Sequence, residues 1–196
     1  MKFHLKTLSM WPSTLATLIT LYLQPTFAAA QNIVQHGSFE FGETGSVGWT
    51  GDYGADTLVP WAADGVNFAD VTFFLYQDLV TLPGQSYHLR FAMAGNQNWP
   101  GLISLQTLWG GAEVATTTWN PAGHNVHTDL GWFYTDRDVV ASAPITRLMF
   151  QNLGVVNQTP FLDAVSVVAV PEPSCWTIIG LAIGLVGIFR IWGRPD

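Results

Sequence analysis

Ser86-Tyr87-His88-Leu89-Arg90-Phe91-Ala92-Met93 is the stretch that decides the fold. Tyr87, Leu89, Phe91 and Met93 recur at every second residue, so in an extended chain they share one face while His88 and Arg90 take the other. The same period runs through residues 145–150, where Leu148 and Phe150 oppose Arg147. Residues 161–169 carry Val165, Val167 and Val168, the β-branched content of a mostly buried strand. Pro83-Gly84, Trp109-Gly110-Gly111, Asn120-Pro121 and Ala122-Gly123 punctuate these runs as turns. No stretch within residues 31–170 sustains a capped helical period. Short strands separated by regular turn signals predict an all-β domain, a sandwich or barrel.

The segments outside that domain read differently. The chain has 196 residues, 48% hydrophobic and only 11% charged, with a formal charge of −7. Part of the apolar excess lies at the two ends. Residues 1–30 open on Met1-Lys2-Phe3-His4-Leu5-Lys6, continue through an apolar run over 15–23 and finish Ala28-Ala29-Ala30. A basic start, a short apolar core and small residues before a cleavage point predict a secretory signal peptide, against the alternative of an uncleaved anchor. At the other end, residues 175–189 contain no charge and are followed by Arg190 and Arg194. That run, extended by Ile191 and Trp192, predicts a short membrane-spanning helix with its basic end on the cytoplasmic side.

Pro171, Glu172 and Pro173, the apolar run and Arg190 together resemble the PEP-CTERM sorting signal of bacterial exported proteins. The resemblance covers residues 170–196. It implies handling by an exosortase-type transpeptidase after export, and an association with exopolysaccharide or biofilm matrix. The predicted organisation is a signal peptide over 1–30, an exported body over 31–170 and a sorting tail over 171–196. An ordinary single-pass anchor is the plainer alternative.

The body holds three arginines against twelve acidic residues and has no lysine or cysteine. That balance disfavours nucleic acid, because neutralising phosphates requires clustered basic side chains. It also excludes a disulfide framework, so the body depends on its core or on a bound ion.

Three stretches carry a second resemblance. Residues 32–40 end in His36-Gly37-Ser38-Phe39-Glu40, residues 79–91 contain Leu82-Pro83-Gly84-Gln85-Ser86-Tyr87, and residues 161–167 contain Asp163-Ala164-Val165. In this order they resemble the galactose-binding-like jelly rolls of carbohydrate-binding modules. His36 stands where that family usually has Asn, and Ala164 where it often has a second acid. The resemblance implies a jelly-roll β-sandwich and one structural calcium ion held by Glu40 and Asp163. Calcium takes six to eight oxygen ligands, so backbone carbonyls would complete the shell. Without an ion, Asp163 would cap a turn and Glu40 would be solvated. Asp163 has the parity of Val165 and Val167, which predicts that it points to their face.

The body contains six tryptophans: Trp49, Trp61, Trp99, Trp109, Trp119 and Trp132. A flat indole matches the apolar face of a pyranose, while neighbouring amides suit its hydroxyls. Asn96-Gln97-Asn98-Trp99 and Trp119-Asn120 fit that pattern, so Trp99, Asn96, Asn98 and Trp119 are the expected ligand contacts. Trp49, Trp109 and Trp132 adjoin glycines and are expected in the core.

Catalytic signals are weak. Neither G-x-S-x-G nor H-E-x-x-H occurs, and the single Cys175 lies in the tail. His124 and His127 lack a third metal ligand. Asp136 and Asp138 share a strand face about 7 Å apart, a spacing compatible with an inverting glycosidase but more typical of an ion-paired solvent surface. The expected function is therefore a non-catalytic exported surface or matrix protein that binds polysaccharide or another glycan. A structural or adhesion protein whose partner is another protein is the alternative.

Overall fold

A computed structural model describes residues 31–40, 48–57, 61–96, 98, 101–124, 130–155 and 158–171. The signal peptide, the apolar tail, Trp99, His127, Glu172, Pro173 and Arg190 lie outside the described residues. Among the described residues there is no helix, and hence none long and apolar enough to cross a membrane.

Eight strands follow in order: β1 Thr50–Thr57, β2 Asn67–Val80, β3 Ser86–Gly95, β4 Ile103–Trp109, β5 Ala112–Trp119, β6 Phe133–Val140, β7 Ile145–Asn152 and β8 Pro160–Ala169. They hydrogen-bond in the order β5-β4-β7-β2-β8-β3-β6, with β1 added against β2. Every pairing is antiparallel. The long β2 is the hub. β1 runs along one of its edges, while the other edge serves β8 near Ala69 and Asp70, then β7 from Phe74 to Val80. Between these halves the register with β1 slips, leaving Thr72 and Phe73 as a bulge. A bulge bends its strand and increases its twist, and here it lets the sheet fold into two layers.

The alternation read from the sequence sets the core. Leu89, Phe91 and Met93 of β3 are fully buried, as are Leu148 and Phe150 of β7. Phe91 meets Phe150 edge-to-face at 5.1 Å across the two layers, and Tyr87 meets Trp109 at 5.9 Å. Trp49 and Trp109 are core residues, as expected, each 5% exposed. Gly110 and Gly111 both have positive φ, 59° and 86°, and join β4 to β5. Positive φ at both central residues matches the right-handed twist of a two-residue hairpin, and glycine accommodates it without strain.

Asp136 and Asp138 form the ion-paired solvent surface that their alternation predicts. His88, opposite Asp138 on β3, bridges both carboxylates, with Nδ1 2.9 Å from Asp138 and Nε2 3.0 Å from Asp136. Arg90 lies 3.9 Å from Asp136 and covers the Tyr134 ring at 4.2 Å. Only an imidazolium donates from both nitrogens, so the two carboxylates raise the His88 pKa, Asp138 contributing most. A raised histidine pKa adds stability in full below its unfolded value near 6.5 and loses it as pH rises through the folded value. Melting temperature should therefore fall slightly as pH climbs above about 6.5, and His88→Ala should remove that component. An NMR titration of the His88 ring checks the direction.

Candidate functional site

The first and last segments of the body converge on one loop. The Glu40 carboxylate accepts hydrogen bonds from the backbone N–H groups of Val66 (2.8 Å) and Asn67 (3.0 Å). Asp163 accepts from Asp64 N–H at 2.9 Å and from Ala164 N–H at 2.6 Å. The loop preceding β2 is thus clamped from two sides by carboxylates 123 residues apart in sequence (163 − 40). Gly65, with φ of +76°, leaves the room: a Cβ there would fall 2.2 Å from a Glu40 carboxylate oxygen. Glu40 stays exposed to solvent while it holds this loop, and Asp163 caps it from within.

Asp163 does not point where its parity predicts. Ala164 takes φ of 50°, and the register with β3 shifts so that Asp163 faces Ala92 while Ser166 faces Arg90. One extra residue in β8 reverses the side on which everything before it emerges. Asp163 consequently sits on the Arg90 side of the sheet, opposite to Leu89 and Val167, and the loop beginning at Trp61 covers it. Its exposure is 0%. Burial pushes its carboxyl up from 3.8 to about 7; backbone N–H groups of Asp64, Ala164 and Ala63 pull it down by less, and the Asp64 charge adds repulsion.

A calcium ion here would take two carboxylates, Glu40 and Asp163, that reach one loop from two sides. A buried carboxylate whose hydrogen-bond donors are backbone amides retains lone pairs and lacks a countercharge, and Glu40 approaches the same loop. Among the described residues no group of three or more His, Cys, Asp or Glu side chains is placed to hold a metal. Carbonyl oxygens would have to complete any shell.

The second feature is a cleft of about 490 Å³ lined by Thr118, Trp119, Asn120, Ala122, His124, Gly131, Trp132 and Phe133. It lies where β5 ends and β6 begins, at the Gly95 end of β3. A Cβ on Gly95 would sit 2.7 Å from the Trp119 ring, so the chain enters Asn96 directly beside that indole. Asn96 turns the following loop by accepting from Asn98 N–H at 3.0 Å. The structure therefore brings Asn96 and Trp119 to one end of the sandwich.

Trp119 differs from expectation. In place of an exposed ring, the indole is only 2% exposed. It pairs with the buried Ile103, and His124 stacks on its ring at 5.6 Å. Its Nε1 is buried with no hydrogen-bond partner among the described residues. Trp132 departs in the opposite sense. Expected in the core, it is half-buried and walls the cleft, with its Nε1 donating to Trp61 O and its ring edge-on to Phe68 at 5.6 Å. Trp61 belongs to the loop that the two carboxylates clamp, so Trp132 ties the cleft to the carboxylate clamp. The Gly131-Trp132 setting gives no sign of this, because either a core or a rim tryptophan can follow a glycine.

A third feature is hidden in the sequence. On the outer face of β2, Phe74 and Tyr76 stack with rings 6.2 Å apart and 15° from parallel. Arg147, held to Asp78 at 2.7 and 2.8 Å, covers the Tyr76 ring at 3.8 Å. Phe73-Phe74-Leu75 breaks strict alternation, which conceals the exposed face.

No family model matches this chain, and no curated protein matches it in sequence. Solved structures do share its fold. The TmCBM61 module solved in complex with β-1,4-galactotriose aligns with a TM-score of 0.52 and 20% identity, over 70% of this chain and 98% of that one. The CBM22-1 xylan-binding domain of Xyn10C from Paenibacillus barcinonensis aligns with a TM-score of 0.56 and 14% identity, over 74% and 97%. A Stig cyclase from Fischerella sp. TAU aligns with a TM-score of 0.52 and 16% identity, over 74% and 100%. The fold thus hosts both binding modules and an enzyme, and function must be argued from the site. The described residues have the all-β sandwich fold that these carbohydrate-binding modules share.

Proposed function

We propose that this chain is an exported, non-catalytic protein of the cell surface or matrix that binds a polysaccharide through the cleft beside Trp119. The single observation that carries this is the composition of that cleft. Trp132 and Phe133 offer apolar ring surface, Asn120 an amide and Thr118 a hydroxyl, within about 490 Å³. Small-ligand sites have this size and this pairing of aromatic walls with a few polar groups. Asn96 and Asn98 would extend the site along the neighbouring loop, and Trp99 remains the contact that its amide-rich sequence setting proposes. The calcium ion held by Glu40 and Asp163 is structural: it would fix the loop whose Trp61 carbonyl positions Trp132.

Export through the signal peptide, anchorage by residues 175–189 and processing at the Pro171-Glu172-Pro173 signal by an exosortase-type enzyme complete the proposal. The precursor then resides in the inner membrane, with its body outside and its mature form at the surface or in the matrix. The alternative, adhesion to another protein, makes a different prediction. Incubated with insoluble exopolysaccharide of the producing organism, the protein should be retained and then released by soluble oligosaccharide. Retention that free sugar leaves untouched would favour a protein partner.

A further inference from the structure

We propose that the end of the sandwich opposite the cleft rests on the lipid surface of the membrane that anchors the chain; this rests on the reading of residues 175–189 as a membrane span. Four large apolar side chains stand out there: Val80 is 80% exposed, Leu82 67%, Ile145 62% and Val140 59%. Singly exposed apolar residues are ordinary, but these gather at one end. Val80 and Ile145 lie on the outer face that carries Asp78 and Arg147, Val140 on the opposite outer face beside Asp138, and Leu82 on the turn that joins β2 to β3. These four form one rigid unit. Val80 and Ile145 are direct cross-strand partners. The turns Thr81-Leu82-Pro83-Gly84-Gln85 and Ala141-Ser142-Ala143-Pro144 are stitched together by Thr81 N–H to Pro144 O (2.9 Å), Thr81 Oγ1 to Ala143 O (2.7 Å), Gly84 N–H to Ala141 O (2.8 Å) and Ala141 N–H to Gln85 O (3.0 Å).

Neither turn contains a charged residue. Much of their backbone hydrogen bonding is internal, which lowers the cost of approaching an apolar phase. The nearest charges lie two residue pairs further back, and they are paired: Asp78 with Arg147, and His88 between Asp136 and Asp138.

The chain leaves the domain at this same end. Val170 N–H donates to Ser86 O at 2.9 Å, and Gln85 Nε2 donates to Val170 O at 2.7 Å. Cys175, the first residue of the uncharged run, follows five residues later, a reach of at most about 18 Å fully extended. The apolar end is therefore held close to the bilayer. The patch has no unpaired basic side chain to attract anionic lipid, so its contact depends on the tether, which makes the encounter intramolecular. Strands β3, β6 and β8 each run from one end to the other, so the cleft would point away from the membrane, toward matrix polymer.

Full-length protein with Cys175→Ser and a single reporter cysteine, labelled with a fluorophore, would be reconstituted in phosphatidylethanolamine–phosphatidylglycerol vesicles. Lipids brominated near the headgroup serve as the quencher. Labels at Leu82→Cys and Ile145→Cys should be quenched several-fold more strongly than one at Ala122→Cys beside the cleft. Equal quenching at all three positions, or none at Leu82 while the protein floats with the vesicles, overturns the proposal. Excimer emission from pyrene at Leu82→Cys that persists in detergent also overturns it, because a second copy then covers the patch. Failure to float after an alkaline wash instead removes the anchor reading, and the proposal with it.

Discussion

Calcium should raise the melting temperature of this protein, and Asp163→Asn should abolish the response. An ion bound only by the native state stabilises it by RT ln(1 + [L]/Kd), about 2.7 kcal/mol at a hundredfold excess over Kd. The dependence on pH sharpens the test. The folded Asp163 carboxyl titrates near 7, against an ordinary 3.8. Between those values the native state holds a proton that the unfolded chain has released, so stability falls as pH rises from about 4 to about 7. The loss amounts to about 4 kcal/mol at neutral pH, at 1.36 kcal/mol per pKa unit. In chelator the melting temperature should therefore decline across this window. Saturating calcium should flatten the decline by favouring the ionised carboxylate. Asp163→Asn cannot titrate and should show neither the slope nor the calcium response. Wild-type melts that are identical in calcium and in chelator would remove the ion from this account.

Trp49→Ala should cost about 3–5 kcal/mol, the usual range for truncating a large buried aromatic. The Trp49 ring packs at 5.5 Å from Phe39 and at 6.2 Å from Phe150, joining the N-terminal segment to the interior of β7. Its Nε1 donates to His36 O at 3.1 Å. His36 and Phe39 both hold positive φ, 51° and 54°, a conformation that costs a non-glycine residue of order 1–3 kcal/mol and persists only when its surroundings enforce it. Losing Trp49 removes ring contacts and one enforcing hydrogen bond together. Trp49→Phe should recover most of the packing and lose only the indole hydrogen bond to His36 O, which still accepts from Phe39 N–H at 3.2 Å, so urea unfolding should place it well above Trp49→Ala. Calcium binding should weaken in Trp49→Ala as well, because Glu40 follows Phe39 directly.

The strands with clean alternation are legible in the sequence. β3, β7 and β8 lie where period-two patterns place them, and the paired glycines after Trp109 mark the hairpin they form. Residues that depend on a register slip are not legible in the same way. Ala164 is an ordinary strand alanine by composition, and nothing around it announces a bulge. That bulge moves Asp163 to the other side of the sheet, under a loop instead of into the core. The doubled Phe73-Phe74 conceals the exposed rings of β2 in the same way. At the cleft, the amide neighbours of Trp119 and Asn96 point to the right end of the sandwich, yet they suggest an exposed indole where the ring is buried. Burial at a strand terminus is decided by what the next loop lays over it, here His124, and that contact joins residues on opposite sides of a turn. Local pattern carries strand faces well; it carries loop coverage poorly, because such partners meet only when the chain turns back on itself.

Affinity electrophoresis through gels containing the producing organism's own soluble polysaccharide tests the central claim most directly. The wild-type protein should be retarded, Trp132→Ala should migrate as it does without polymer, and Phe74→Ala should remain retarded. Retardation lost in Phe74→Ala but kept in Trp132→Ala would place binding on the sheet face and contradict the cleft, and no retardation of the wild type would contradict glycan binding itself.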